Sequence, residues 1–130
     1  MVRAQYLTPE HLIRAMKAAD FYASSGVVLD DVNFDSETRR LQLKIQPAAG
    51  VTYSTQFIAT LKPAEAGELP AAEAIGTVVA TVDGEHPAYE LSGTELYVRA
   101  LVTSSQDHVD PSLAGQKQQA WTQPVGWQRP

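Results

Sequence analysis

Cysteine is absent from this 130-residue chain, and with it go disulfides, thiolate metal sites and thiol nucleophiles. The absence leaves the cellular compartment open, because reducing and oxidising locations both tolerate cysteine-free chains. No apolar run approaches the roughly 20 residues that a membrane-spanning helix needs, so no membrane partner is expected. The first residues, Met1-Val2-Arg3-Ala4-Gln5-Tyr6, lack the apolar stretch of a signal peptide. Any export signal would lie upstream, and the localisation stays unknown. Basic residues are few, ten Lys and Arg against 15 Asp and Glu for a net charge of −5. Nucleic acid is therefore not an expected partner, since phosphate-binding domains carry clustered Lys and Arg. The eight glycines stand singly and form no phosphate-cradling loop. His11, His86 and His108 are scattered, with no HxH or HExxH spacing, so no metal or cofactor is expected in this chain. Ser24, Ser25, Ser104 and Ser105 have no histidine at a telling offset. The chain by itself is not expected to be an enzyme.

What is present suffices for one folded domain. An apolar fraction of 44% and a charged fraction of 19% are ordinary for a globular protein. A chain of this size buries roughly two-thirds of the surface it exposes when unfolded. From Pro9 to about Ala19 the pattern predicts an amphipathic helix. Thr8 is placed as N-cap, its hydroxyl accepting from an orphan backbone N–H, Pro9 sits at the first helical position, and Glu10 lies at the positive end of the dipole. Leu12, Ile13, Met16 and Ala19 form one stripe, with Glu10, Arg14 and Lys17 elsewhere. The stripe needs a surface to lie against, on this chain's own sandwich, on a second copy, or on another domain. Leu12, Ile13 and Met16 are accordingly the candidate interface.

Beyond Gly26 the apolar period drops to two. Leu41, Leu43 and Ile45 alternate with polar residues, as do Tyr53, Thr55, Phe57, Ala59 and Leu61. Val78, Ala80 and Val82 form another expected buried row, followed by Tyr89 with Leu91, and by Leu96, Val98, Ala100 and Val102. With 27–34 and 120–125 added, about seven strands result, separated by turns at the spacing of an all-β sandwich. The expected fold is mainly β: an immunoglobulin- or fibronectin-III-like sandwich over 27–130, preceded by a helical segment over 1–26. Leu91 to Tyr97 resembles a tyrosine corner, with Tyr97 either making that corner or serving as a plain β-former.

Two connections break the regular spacing. Lys62 to Ala74, with Pro63, Gly67 and Pro70, reads as a surface excursion. Ser104 to Gln118 reads as a loop of about fifteen residues, longer than ordinary hairpin connections, and is the better binding candidate. It contains Asp107, His108 and Asp110, whose carboxylates are either a holder for a hard cation or ordinary loop polarity. Asp30, Asp31 and Asp35 pose the same choice near the first hairpin. Trp121 and Trp127 are either a platform for a sugar or part of the core. A free-standing module binding a glycan or a protein through these tryptophans and the long loop is one function class.

The other comes from a resemblance. Leu7-Thr8-Pro9-Glu10, leading to Ala15 through Val27 with Asp20-Phe21-Tyr22-Ala23-Ser24-Ser25-Gly26, looks like the closing segment of polymerase-and-histidinol-phosphatase (PHP) superfamily barrels. Tyr97-Val98-Arg99-Ala100 and then Ala120-Trp121-Thr122-Gln123-Pro124-Val125 are similar to the β-rich tail that follows it in one branch. The resemblance implies a metal-dependent phosphoesterase or hydrolase whose two or three divalent metals sit on barrel strands preceding this helix. No residue here matches those ligand motifs, so the chain would be an accessory sandwich, covering the barrel or shaping access to it. Self-association through the helix is a further expectation. One departure stands out: Ala19 replaces the usual glycine, and a left-handed backbone there would cost roughly 1–2 kcal/mol.

Overall fold

The computed structural model describes residues 1–65 and 67–127. Helix α1 (Pro9–Lys17) is followed by strands β1 (Tyr22–Ser24), β2 (Leu29–Asp35), β3 (Arg40–Ile45) and β4 (Tyr53–Leu61). A single 3-10 turn (Ala72–Ala74) precedes β5 (Thr77–Asp83), β6 (Ala88–Glu90), β7 (Glu95–Asp107) and β8 (Lys117–Thr122). Two antiparallel sheets result, ordered β1-β8-β7-β4-β5 and β2-β3-β6. The mainly-β expectation holds. Among the described residues no helix is long and apolar enough to cross a membrane.

Alternation explains the core. Leu41, Leu43 and Ile45 of β3 point inward while their neighbours are exposed, and Phe57, Val98, Ala100 and Val102 answer them from β4 and β7 at 0% exposure. Each large apolar side chain so buried contributes roughly 1.5–3 kcal/mol. The two sheets share this one cluster, which Val27, Leu29, Tyr53, Leu91 and Ala120 complete.

Three expectations are corrected. Strand β1 falls within the segment assigned to a helical preface; it pairs with β8 through Tyr22↔Thr122 and Ser24↔Ala120, making eight strands rather than about seven. The loop expected from Ser104 to Gln118 is shorter at both ends: β7 runs on to Asp107 and β8 begins at Lys117, leaving 108–116 as the connection. In β5 a register shift opposite Phe57 and Ile58 breaks the alternation, so Val79 packs on the core and Val78 is 47% exposed. A bulge of one residue sends the next side chain to the opposite face.

Candidate docking surfaces

Helix α1 leaves the sandwich through a tight, specific junction. Its C-cap is Ala18, and Ala19, which stands in place of the usual glycine, adopts φ 57°, a left-handed conformation. The Asp20 N–H donates to the Ala15 carbonyl at 2.9 Å and the Ala19 N–H to that of Met16 at 3.1 Å, the paired bonds of a Schellman ending. The chain then runs beside residues 1–3: the Arg3 N–H donates to the Asp20 carbonyl and the Tyr22 N–H to that of Met1, each at 2.9 Å. The Arg3 guanidinium spans the junction, 3.5 Å from Asp20 and 2.9 Å from Asp31. A cleft of about 570 Å³ opens here, lined by Phe21, Tyr22, Leu29, Val32, Phe34 and Val125 from the sandwich and by Met1, Val2 and Ala19 from the segment opposite.

The rest of the junction motif is equally occupied with structure. Ser24 Oγ accepts from the Gly26 N–H at 3.0 Å while donating to the Val27 carbonyl, a local hydroxyl turn. The Tyr22 hydroxyl accepts from the Leu29 N–H at 2.9 Å, next to the irregularity between Leu29 and Asp31 in β2. Gly26 has φ 145°, and a Cβ there would lie 2.4 Å from the Gln118 side chain.

The stripe on α1 is only partly used. Ala15, which the sequence reading left off the stripe, is the buried position at 7% exposure; Leu12 is half-buried, and Ile13 and Met16 are 53% and 55% exposed. Leu7 and Tyr6, just before the helix, are also exposed. Thr8 does not cap with its side chain; its Oγ1 meets His11 Nδ1 at 2.8 Å instead. The surface at α1 is thus apolar, exposed and held at a fixed attachment.

The hairpin end is polar and internally paired. Lys117 Nζ lies 2.6 Å from Asp107 Oδ1, and His108 Nδ1 accepts the Asp110 N–H at 3.0 Å, so His108 organises its own turn. Asp31 pairs with Arg3, Asp30 lies 4.0 Å from Lys44, and Asp35 accepts the N–H groups of Glu37 and Thr38. Those two N–H bonds and the Thr38 hydroxyl hold the Asp35 carboxyl below its ordinary range. Among the described residues no three His, Asp or Glu side chains converge on a point where a metal would sit.

Among the described residues, Trp121 and Trp127 make no ring contact with each other. Trp121 lies on the outward face of β8, half-buried, opposite Leu101 and Ala23. Trp127 is 67% exposed and packs against Tyr97, centroids 4.5 Å apart and rings tilted by 37°. Tyr97 therefore points outward, its hydroxyl accepting from Thr60 Oγ1 at 2.8 Å, and it makes no tyrosine corner. Glu95 takes that place, a residue the sequence reading missed. At 1% exposure, its carboxylate accepts from the Tyr89 hydroxyl at 2.5 Å, the Ser92 hydroxyl and N–H at 3.0 and 3.3 Å, and the Gly93 N–H at 3.0 Å. Glu95-preceding Ser92-Gly93 was the available signal, since a turn with free N–H groups invites an acceptor.

Comparison with known protein families, with curated proteins and with solved structures returns no match.

Proposed function

We propose that this chain is a non-catalytic accessory sandwich that docks, through helix α1, on a PHP-like metal-dependent phosphoesterase barrel. The observation that carries the reading is the exposure of Ile13 and Met16 on a short helix that buries only Ala15 and that Arg3 and a few backbone bonds fasten at its C-terminal end. A partner covering this face would take it out of water and add the packing that the sandwich does not supply. The strand order supports the finer fold reading. Leaving β1 aside, the first, second and fifth strands form one sheet and the third, fourth, sixth and seventh the other. This order resembles the immunoglobulin-like arrangement with its fourth strand moved to the opposite sheet. The resembled family carries its divalent metals on the barrel, and the reading assigns none to this chain.

Two measurements test this. The purified chain with Mn²⁺ or Zn²⁺ should hydrolyse p-nitrophenyl phosphate no faster than buffer, and a PHP barrel encoded immediately before it should co-purify with the wild type but not with I13E/M16E. Metal-dependent turnover abolished by H108A, or an association that the double variant leaves intact, would defeat the proposal. A second reading, a glycan-binding module, is favoured by the exposed Tyr97–Trp127 pair.

A further inference from the structure

On the larger sheet, Asp83 and the paired Asp107 and Lys117 lie towards one end of the outer side, and Arg99 sits in the middle of it. Along β7, Tyr97, Arg99 and Leu101 point away from the core that Val98, Ala100 and Val102 fill. Trp127 lies on Tyr97 at one end of this row, and Trp121 is paired with Leu101 at the other. Four residues of strand separate the two ends, roughly 13 Å at the usual rise. Arg99 sits midway, opposite Ile58 of β4, and has no ion-pair partner among the described residues.

The surroundings decide what such a row accepts. Outward positions from Ser54 to Thr60, Tyr97 to Thr103 and Gln119 to Trp121 include no carboxylate; Asp83, opposite Ser54, and Asp107, paired with Lys117, lie beyond them at one end. A guanidinium with no ion-pair partner among the described residues, on a row that has an aromatic residue towards each end, is a fork for a carboxylate from outside. The larger clefts, at the helix junction and the sheet ends, are not lined by any member of the row. Compact small molecules favour concave sites; an open row suits a ligand extended along it. Gln119, with its amide on Thr103 at 3.1 Å, adds a polar rim.

The geometry points to a binding site for a linear acidic polysaccharide along β7, with sugar C–H faces against Trp127 and Trp121 and a uronate carboxylate on Arg99. Aromatic faces are electron-rich and attract polarised C–H groups. This site is independent of the helix and of any barrel, and it gives the glycan reading a charge class.

Native gel electrophoresis of the whole chain in gels containing polygalacturonate, alginate or neutral dextran tests it. Retardation is expected with one or both polyanions and not with dextran. R99Q should weaken it about tenfold, the loss of one charge-assisted bond, and W127A, an exposed substitution, should weaken it with an unchanged melting curve. R40Q, which alters net charge equally but lies on an exposed position of β3 in the other sheet, should leave it intact. Absence of retardation in both polyanions overturns the site and gives the face to a protein partner. Equal retardation in dextran, or an R99Q effect no larger than that of R40Q, overturns it as well.

Discussion

Burial by itself raises the pKa of a carboxyl, yet Glu95 is held below its ordinary value. Bonds from the Tyr89 hydroxyl, from backbone and from Ser92 favour the ionised form and outweigh the burial. The partner is pushed the other way: desolvation first, then the bond to Glu95 and its negative charge, raise the Tyr89 phenol to about 12. The Tyr89 ring stacks on Phe57 of the opposite sheet, centroids 5.4 Å apart, so this pair ties β6 to β4 and β7. Its pH signature has two sides. The Glu95 contribution is complete above the unfolded carboxyl value of 4.5 and is lost as pH falls through the lower folded value. The Tyr89 contribution is complete below 10.0 and is lost as pH rises towards about 12. Denaturation at a series of pH values should show both slopes, E95Q flattening the acid one and Y89F the alkaline one. E95A leaves several buried donors without an acceptor and should cost about 3 kcal/mol at neutral pH.

At the scale of elements, the junction motif makes two predictions of opposite sign. Ala19 occupies a left-handed position at φ 57°, which costs an L-residue roughly 1–2 kcal/mol. A19G relieves that and gives back part through the freer unfolded chain. A net gain of about 0.5 kcal/mol in the opening free energy of the last turn of α1 should appear in amide exchange at Asp20. G26A at φ 145° meets the Gln118 side chain and disturbs its bond to the Asp107 carbonyl. A loss of roughly 1–3 kcal/mol should follow, read by urea denaturation. Both backbone demands were partly visible in the sequence: the glycine marks a turn, and the alanine stands where a helix end wants glycine. Elsewhere legibility follows the regularity of the pleat. The alternation of Leu41, Leu43 and Ile45 names its buried face directly, because β3 has no bulge between them. In the row of Val78, Ala80 and Val82 the last two pack on the core and Val78 does not, because the bulge is set by pairing with β4, a long-range event with no local residue code. The same is true of the hairpin from Ser104 to Gln118, where polar composition suggested a loop and cross-strand pairing extended the strands instead. The buried Glu95 was half-legible for a related reason: Ser92 and Gly93 are local donors, but only the fold brings the Tyr89 hydroxyl to the same carboxylate.

Over the whole molecule, stability is unevenly distributed. The sandwich is closed by a core spanning both sheets, with β4 and β7 central to the larger one. The helix contributes only Ala15 to the buried set and is fastened by Arg3, whose side chain and those of its partners Asp20 and Asp31 are roughly half-exposed. Exposed ion pairs of this kind contribute about 0–1 kcal/mol each and weaken with salt. A nine-residue helix is too short to persist unaided, since isolated helices below roughly 12–15 residues are marginal in water. The two parts should therefore open separately. In native-state hydrogen exchange, amides of α1 should exchange through a local opening that deepens little in urea, and those of Phe57, Val98 and Ala100 only through global unfolding. R3A, and separately added salt, should speed exchange in α1 while leaving the β4 and β7 amides at their original protection. Uniform protection across helix and sandwich would mean that α1 draws its stability from the core, and its exposed face would then have no need of a docking partner to hold it.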